Sequence, residues 1–205
     1  MTTYTILLQD AQDYTEDDGS EFVAEIPTLI TMAEERIFRD APIHPIYHIE
    51  TTGNLVDGTA TFTPPTTIRR IRSLHITVSA AEVALESRLD SFILDYAPTL
   101  TTKAQPKFFA WNEEASILLG PTPDSAYAYT LRTLGLPTGL SAANDTTFIG
   151  SNHEDLILFA TLVLCETFLQ HTENAAVWEQ QYQARLQNFL IEAKGTRITE
   201  YSGAV

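Results

Sequence analysis

Histidines and acidic residues are the side chains whose type and spacing first suggest a metal or catalytic site. His44 and His48 lie four positions apart, as two metal ligands on one helical turn do. Pro45 separates them in a segment with the pattern of extended chain, so we predict no metal site at this pair. The remaining histidines fall in different predicted elements: His75, His153 and His171.

The adjacent carboxylates Glu113 and Glu114 are the nearest approach to a hydrolytic pair. Glycoside hydrolysis needs two carboxyl groups held across a cleft, whereas neighbours in a turn between strands point apart. The sequence also lacks glycine-rich nucleotide loops, a G-x-S-x-G nucleophile elbow and an H-E-x-x-H zinc helix. We therefore predict no enzyme activity, no metal and no cofactor, and we interpret both glutamates as solvated turn residues.

Cys165 is the only cysteine, which excludes an internal disulfide and a cysteine-cluster metal site. Its neighbours in LVLCETFL are largely apolar. We therefore predict an inert, buried thiol.

Three arginines, Arg69, Arg70 and Arg72, crowd the start of a predicted strand, Ile68 to Val78. Such a cluster can contact an anion or an acidic partner. In so acidic a chain it can equally supply intramolecular counterions. The sequence leaves both interpretations open, and the three residues are partner-contact candidates.

The formal charge of −15, from 27 acidic and 12 basic residues, argues against a surface that grips phosphates. It is compatible with a passage through which nucleic acid slides without sticking, and also with an ordinary acidic soluble protein. No apolar run approaches the roughly 20 residues that span a bilayer. The N-terminus MTTYTILLQD lacks a secretory signal pattern, so we expect no membrane association and no export by that route.

Helical periodicity dominates both ends of the chain. We predict a short helix over Tyr4 to Tyr14 and a second one capped by Ser20, with Pro42 and Pro45 ending it. The second helix carries an apolar stripe at spacings of three and four: Phe22, Ile26, Leu29, Ile30, Ala33 and Ile37.

The C-terminal part predicts two further helices. The first is capped by Asn152 and is so apolar that we expect it at the centre of a bundle. After a break near His171, the last helix carries Trp178 to Leu190 at helical spacing and stops at Gly195. The remaining TRITEYSGAV is predicted to be a tail that either orders on a neighbour or stays unstructured.

The middle of the chain is strand-rich. The stretch PKFFAWNEEASILLGPTPDSAYAYTLRTLGLP, residues 106–137, contains two apolar runs around the polar turn 112–114, and the proline-rich segment 120–124 ends the second run. Residues 127–133 then alternate with the period of a strand. We expect the runs on either side of the proline-bounded turn to face each other as a β-hairpin. A short helix capped by Ser87 is predicted to precede this stretch.

These elements predict an α+β fold in which the N- and C-terminal segments form a helical bundle with an inserted antiparallel β-rich module. We place the bundle with its C-terminal tail at residues 1–45 and 146–205, and the β-rich module at residues 46–145.

Three segments carry a family resemblance: EFVAEIPTLITMAEERIFRD, FFAWNEEASILLGPTPDSAYAYTLRTLGLP, and EDLILFATLVLCETFL followed by AAVWEQQYQARLQNFL. In their order and spacing they resemble the head-to-tail adaptor proteins of short-tailed bacteriophages, the tail tubular protein A group. The resemblance spans most of the chain and includes no catalytic signature. It implies a non-enzymatic structural protein of the virion neck, present in the host cytoplasm during assembly.

The same resemblance implies partners. It predicts a ring of identical subunits, commonly twelve, between the portal protein and the tail nozzle protein, with DNA passing through unbound and tail fibres as a further candidate partner. It makes Arg197, Ile198 and Tyr201 portal-interface candidates. The alternative is a disordered terminus.

A second class of function also fits the sequence. The β-rich module could carry a receptor or carbohydrate site on its aromatic residues, for which Trp111, Tyr127 and Tyr129 are the candidates. Core packing is the competing explanation for these rings.

Overall fold

A computed structural model describes residues 1–42, 44–65, 68–111 and 116–202, and over 195–202 it describes the helical backbone alone. The fold is α+β, as predicted. Residue contacts divide the chain into two compact units. The helical unit comprises Met1–Tyr47 and Leu136–Val205, and the β unit comprises His48–Gly135.

Two helices open the helical unit, α1 (Tyr4–Thr15) and α2 (Ser20–Asp40). The Thr3 hydroxyl caps α1 by accepting a hydrogen bond from the Ile6 amide. In α2 the whole predicted apolar stripe is buried, and the helix continues through Pro27 without interruption. Ser20 is the first helical residue and not the cap, which is Gly19.

Three helices close this unit: α4 (Phe148–Asn152), α5 (Glu154–Phe168) and α6 (Thr172–Ser202). Helix α5 packs against α1, α2, α4 and α6, so its predicted central position is confirmed. The predicted cap at Asn152 is wrong. Asn152 ends α4, its amide group donates to the carbonyl of Phe148, and α5 begins two residues later.

The chain between α5 and α6 breaks where predicted. Gln170 adopts a left-handed backbone conformation with φ of 61°, and the His171 amide donates to the carbonyl of Glu166 at 2.8 Å. The predicted stop at Gly195 is wrong, because α6 runs on to Ser202. A single glycine costs a helix about 1 kcal/mol, which the rest of a 31-residue helix can absorb.

Seven strands form one sheet in the described part of the β unit, in the order β1-β7-β3-β4-β5-β6-β2. They are β1 (His48–Asn54), β2 (Thr61–Phe62), β3 (Ile68–Val78), β4 (Ala81–Ser87), β5 (Phe108–Trp111), β6 (Ile117–Gly120) and β7 (Ala128–Gly135). All neighbours are antiparallel except β4 and β5, which pair in parallel over Glu86–Phe108 and Ser87–Phe109. The module is therefore mixed in pairing and not wholly antiparallel.

The stretch 106–137 is only partly a hairpin. Strands β5 and β6 pair antiparallel, with Phe109 opposite Leu119, and the turn predicted at 112–114 lies outside the described residues. Strand β7 does not pair with β6 and instead lies between β1 and β3. The runs that flank the proline-bounded turn therefore occupy separate parts of the sheet.

Short helix α3 (Asp90–Tyr96) covers one face of β5 and β6. Its Ile93 packs with Ala110 and Leu118, and a Cβ on Gly120 would lie 2.5 Å from Ile93, so glycine permits this approach. The predicted cap at Ser87 is wrong because Ser87 still pairs in β4. The opposite face is buried in the main core of the unit: Leu55, Ile68, Leu74, Ile76, Leu85, Phe109, Ile117, Leu119 and Leu131.

Candidate interaction sites

The residues first considered for chemistry lie in unrelated environments. His44 is buried with its ring stacked on Phe189 at 3.9 Å, whereas exposed His48 begins β1 and contacts Arg72. Within the described ranges, no group of three or more His, Cys, Asp or Glu side chains could hold a metal ion. Glu113 and Glu114 lie outside the described residues.

The Cys165 thiol is buried, as predicted. Burial, with a smaller contribution from the neighbouring Glu166 charge, raises its pKa to about 12. The thiol is therefore protonated at neutral pH and lacks the reactivity of a thiolate. None of the described helices combines the length and the apolar character needed to cross a membrane.

The three arginines at the start of β3 are exposed because the strand is irregular. Strict alternation would place Arg70 and Arg72 on the face of buried Ile68 and Leu74. The pairing of β3 with β7 shifts register between Ile68 and Arg70 and again between Ile71 and Ser73. These two bulges turn Arg69, Arg70 and Arg72 outward together. We call these three residues the arginine cluster.

Contacts inside the β unit occupy part of this surface. Arg72 Nη1 lies 3.0 Å from His48 Nδ1 on β1. On β7, exposed Arg132 donates to Glu50 at 2.8 Å and lies 3.8 Å from Glu82. The outer face of β1, β7 and β3 is therefore mixed in charge, with the arginine cluster at one end of β3.

The aromatic residues proposed for a receptor or carbohydrate site are mostly packed. Tyr127 and Tyr129 pack against the main core of the β unit, and Tyr129 lies 4.9 Å from Phe62 between ring centroids. The Tyr127 hydroxyl donates to Asp124 at 2.6 Å. Trp111 is more exposed, so core packing explains two of the three candidates.

Helix α3 leaves an apolar strip exposed. Leu89 is 75% exposed, Phe92 40% and Tyr96 48%, and the latter two rings stack with centroids 6.3 Å apart. Ile93 is the buried residue of this helix. We call Leu89, Phe92 and Tyr96 the α3 strip. Exposed aromatic and apolar groups of this kind are typical of protein interfaces.

The portal-interface candidates Arg197, Ile198 and Tyr201 lie in the last turns of α6. Their side chains are outside the described part of the structure, so the backbone alone is informative. Spacings of three and four residues place Tyr201 on the same side of the helix as Ile198 and Arg197. The backbone that carries the three candidates is helical.

A cavity of about 100 Å³ lies within the helical unit. Its polar lining includes Glu34 and Tyr47, which are 6% and 0% exposed, and its remaining wall is mainly apolar: Ile46, Leu136, Pro137, Phe148 and Ile149. Both carboxylate oxygens of Glu34 accept from the Leu140 amide at 3.1 Å. A Cβ on Gly139 would lie 2.2 Å from the carboxylate, so glycine is what lets Glu34 lie against this segment.

Glu34 and Tyr47 make fewer hydrogen bonds than their polar atoms allow. Burial raises the pKa of Glu34, against the opposing effect of the hydrogen bond from Leu140. The Tyr47 hydroxyl is buried and has no hydrogen-bond partner among the described residues. Burial and the Glu34 charge both raise the Tyr47 pKa, so this phenol stays protonated. The cavity thus combines a buried carboxylate with an unused hydroxyl.

A family model describes almost the whole chain. Residues 2–204 match the SU10 adaptor protein family. The chain belongs to that family. A search of curated proteins found no match.

This membership confirms the resemblance to bacteriophage head-to-tail adaptors that the sequence suggested. The chain is a structural adaptor protein of a bacteriophage, a component of the virion neck that interacts with portal and tail proteins. The family is structural and points away from enzyme activity.

Sequence reasoning found the arginines of this adaptor but missed its buried cavity. A signal for Glu34 was present, since it lies four residues after Ile30 and three before Ile37, on the apolar side of α2. Tyr47 gave no comparable signal. Its burial depends on packing against Phe38, with ring centroids 4.7 Å apart, and only the folded chain shows it.

Proposed function

We propose that the chain assembles as a ring of twelve identical copies between the portal and the tail nozzle, in the manner of the tail tubular protein A group. The observation that carries this proposal is the family match over residues 2–204. The role is mechanical: the ring joins the two structures, conducts DNA and catalyses no reaction. Assembly takes place in the host cytoplasm, and tail fibres are a further candidate partner.

A ring of identical subunits needs two different surfaces on each copy, because a head-to-tail contact is heterologous. The α3 strip is the candidate for one of them. It is exposed in the single chain, and Leu89, Phe92 and Tyr96 present the residue types that supply interface energy when they become buried.

The arginine cluster is the candidate for a contact with an acidic surface of a neighbouring copy. The chain carries a formal charge of −15, so any adjacent copy is rich in carboxylates. The loop between α1 and α2 with the first turn of α2 carries exposed Glu16, Asp18 and Glu21 and is the most concentrated acidic segment near the N-terminus. Pairing it with exposed arginines would mainly set orientation and association rate.

The end of α6 is the candidate for the portal contact. Arg197, Ile198 and Tyr201 combine a cation, an aliphatic side chain and an aromatic ring on one side of a helix. That set can bind in a groove by burying Ile198 and Tyr201 while Arg197 pairs with a carboxylate.

The net charge supports the proposed passage of DNA. Twelve acidic chains around a channel would give it a strongly negative potential, which keeps the phosphate backbone from adhering. Neutralising the acidic residues that a particle reconstruction places on the channel wall should slow ejection. Unchanged genome packaging and ejection would contradict this role.

Assembly with the portal tests the ring itself. The purified chain, alone and mixed with portal protein, would be examined by native mass spectrometry and negative-stain microscopy. A twelve-copy ring bound to portal is expected. A chain that neither binds portal nor forms rings, or that is absent from purified particles, would refute the proposal.

Matched variants test the two surfaces. Phe92→Ser with Tyr96→Ser should reduce ring formation, and Trp111→Ser, which lies outside the α3 strip, should not. Arg70→Glu with Arg72→Glu should also reduce ring formation. The control, Arg39→Glu with Lys107→Glu, changes the charge equally at other exposed positions and should not. Mixing the arginine variant with Asp18→Arg/Glu21→Arg chains should restore mixed rings. Failure to restore them would exclude the α1–α2 loop as the partner surface.

A further inference from the structure

The Glu34 carboxylate has too few partners for a buried charge. An ionised carboxylate can accept about four hydrogen bonds, whereas Glu34 accepts from one donor, the Leu140 amide. Among the ion pairs of the described residues, none includes Glu34. Buried charges in proteins are normally paired, and the described residues supply no counterion for this group.

The Tyr47 hydroxyl borders the same cavity and is the second underused polar group there. A hydroxyl without a partner and a carboxylate with spare acceptor capacity at one cavity favour a guest that donates hydrogen bonds to both. Apart from Thr138 and Thr147, the remaining wall is apolar, so the guest also has an apolar part.

The size of the cavity narrows the class of guest. About 100 Å³ exceeds the roughly 30 Å³ that one water molecule occupies in the liquid, and it suits a group of a few heavy atoms. A primary ammonium has three donors, which match the two Glu34 oxygens and the Tyr47 oxygen. A short alkyl stem would lie along Ile46, Leu136 and Phe148.

We propose that this cavity binds a primary alkylammonium group, as the head of a lysine side chain inserted by another protein or as a free small amine. The carboxylate of Glu34 is the counterion, and the Tyr47 hydroxyl is the second polar contact. The lysine source depends on the proposed assembly, whereas binding of the ammonium group itself does not.

Binding is tested on the isolated full chain with n-butylammonium chloride, following the Leu140 amide by ¹H–¹⁵N NMR. A saturable shift is expected at this amide, because it donates to Glu34. n-Butanol has nearly the same shape without the charge, and sodium chloride controls for ionic strength. Equal binding of butanol would show a merely apolar cavity. The absence of a saturable shift would also overturn the proposal.

Variants assign the interaction to the cavity. Glu34→Gln keeps an acceptor for the Leu140 amide and should weaken butylammonium binding at least tenfold. Glu35→Gln removes an exposed carboxylate at the next position of α2 and should leave the affinity unchanged. Tyr47→Phe should weaken binding severalfold. Equal affinity in Glu34→Gln and wild type would refute the site, and the wild-type preference for ammonium over butanol remains decisive if a variant fails to fold.

The source of the amine is read from assembled particles. Density in the cavity that continues into the backbone of another subunit would identify a lysine side chain, and isolated density would identify a free amine. An empty cavity in the particle would exclude both sources. Because the titration uses the isolated chain, failure of ring assembly would leave its outcome intact.

Discussion

The helical unit of this adaptor contains a partly buried ion pair besides exposed ones, whereas the ion pairs described in the β unit are exposed. In the helical unit, Arg36 of α2 pairs with both oxygens of Glu179 on α6 at 2.7 Å and is only 20% exposed. In the β unit, Arg132 pairs with Glu50 at 2.8 Å, but both side chains are exposed. Partly buried ion pairs resist screening by solvent, and exposed pairs contribute little.

The helical unit needs such contacts because two distant chain segments build it. Tyr182 of α6 donates to Asp40 of α2 at 2.6 Å, and the Arg36 guanidinium lies 4.3 Å from the centroid of the Tyr182 ring. These contacts specify which face of α6 meets α2. The β unit is one continuous segment held together by strand pairing and an apolar core, so its fold does not depend on buried ion pairs.

The largest effect is expected from breaking the apolar core of the β unit. Ile76 is 0% exposed in β3, and Ile76→Ala should lower the free energy of unfolding by about 3 kcal/mol, since it removes buried methyl groups and leaves a cavity. Denaturant unfolding measures the change. Val56→Ala, at a 64% exposed position of the same unit, is the control and should change little. Comparable losses for both would mean that this core does not hold the unit together.

A smaller loss of stability is expected from replacing Arg36, and almost none from replacing Arg132. Arg36→Met leaves Glu179 and Asp40 without their cation at a partly buried position. We therefore expect the free energy of unfolding to fall by about 1–2 kcal/mol. Arg132→Met should leave the melting temperature nearly unchanged, because its partners remain solvated. Equal losses, measured by thermal unfolding at low and high salt, would remove the distinction between the units.

Periodicity predicted most elements of both units, because each buries one face. The α2 stripe is a clear example, since its spacing fixes the buried side whatever the helix packs against. For α5 the overall apolar character, and not the spacing, predicted its central position. Strand pairing was less predictable. The position of β7 between β1 and β3 depends on contacts distant in sequence, and nothing in TLRTLG specifies them.

A candidate site was easier to predict from the sequence when its residues lie close together in the chain. The arginines are visible in the sequence, but their common exposure depends on two bulges in the pairing with β7. The cavity joins Glu34 of α2 to the segment around Leu140, more than 100 residues later. Gly139 permits that contact, and a glycine in a loop gives no sign of what approaches it.

Glu34, which has no counterion among the described residues of the helical unit, should make stability depend on pH. Burial raises the folded-state pKa of Glu34 above 4.5, so its ionisation opposes folding; the cost is absent below the unfolded-state pKa and complete above the folded-state pKa. We expect Glu34→Gln to be more stable than wild type at pH 7, by an amount that fades as the pH falls to 4.5. Denaturant unfolding at both values measures it. A difference that stays constant between the two pH values would contradict the assignment.

The smallest effect should come from one hydroxyl, and a second tyrosine provides its control. Tyr47 and Tyr182 are both fully buried in the helical unit, but only the Tyr182 hydroxyl has a partner, Asp40. Tyr182→Phe should lower the free energy of unfolding by about 1 kcal/mol, because it removes a hydrogen bond. Tyr47→Phe should leave it unchanged or raise it slightly, because a buried hydroxyl without a hydrogen bond does not stabilise the folded state. Thermal unfolding of the isolated chain compares them. If Tyr47→Phe is as costly as Tyr182→Phe, the Tyr47 hydroxyl already has a partner in the free chain, and water would then fill the cavity before any amine does.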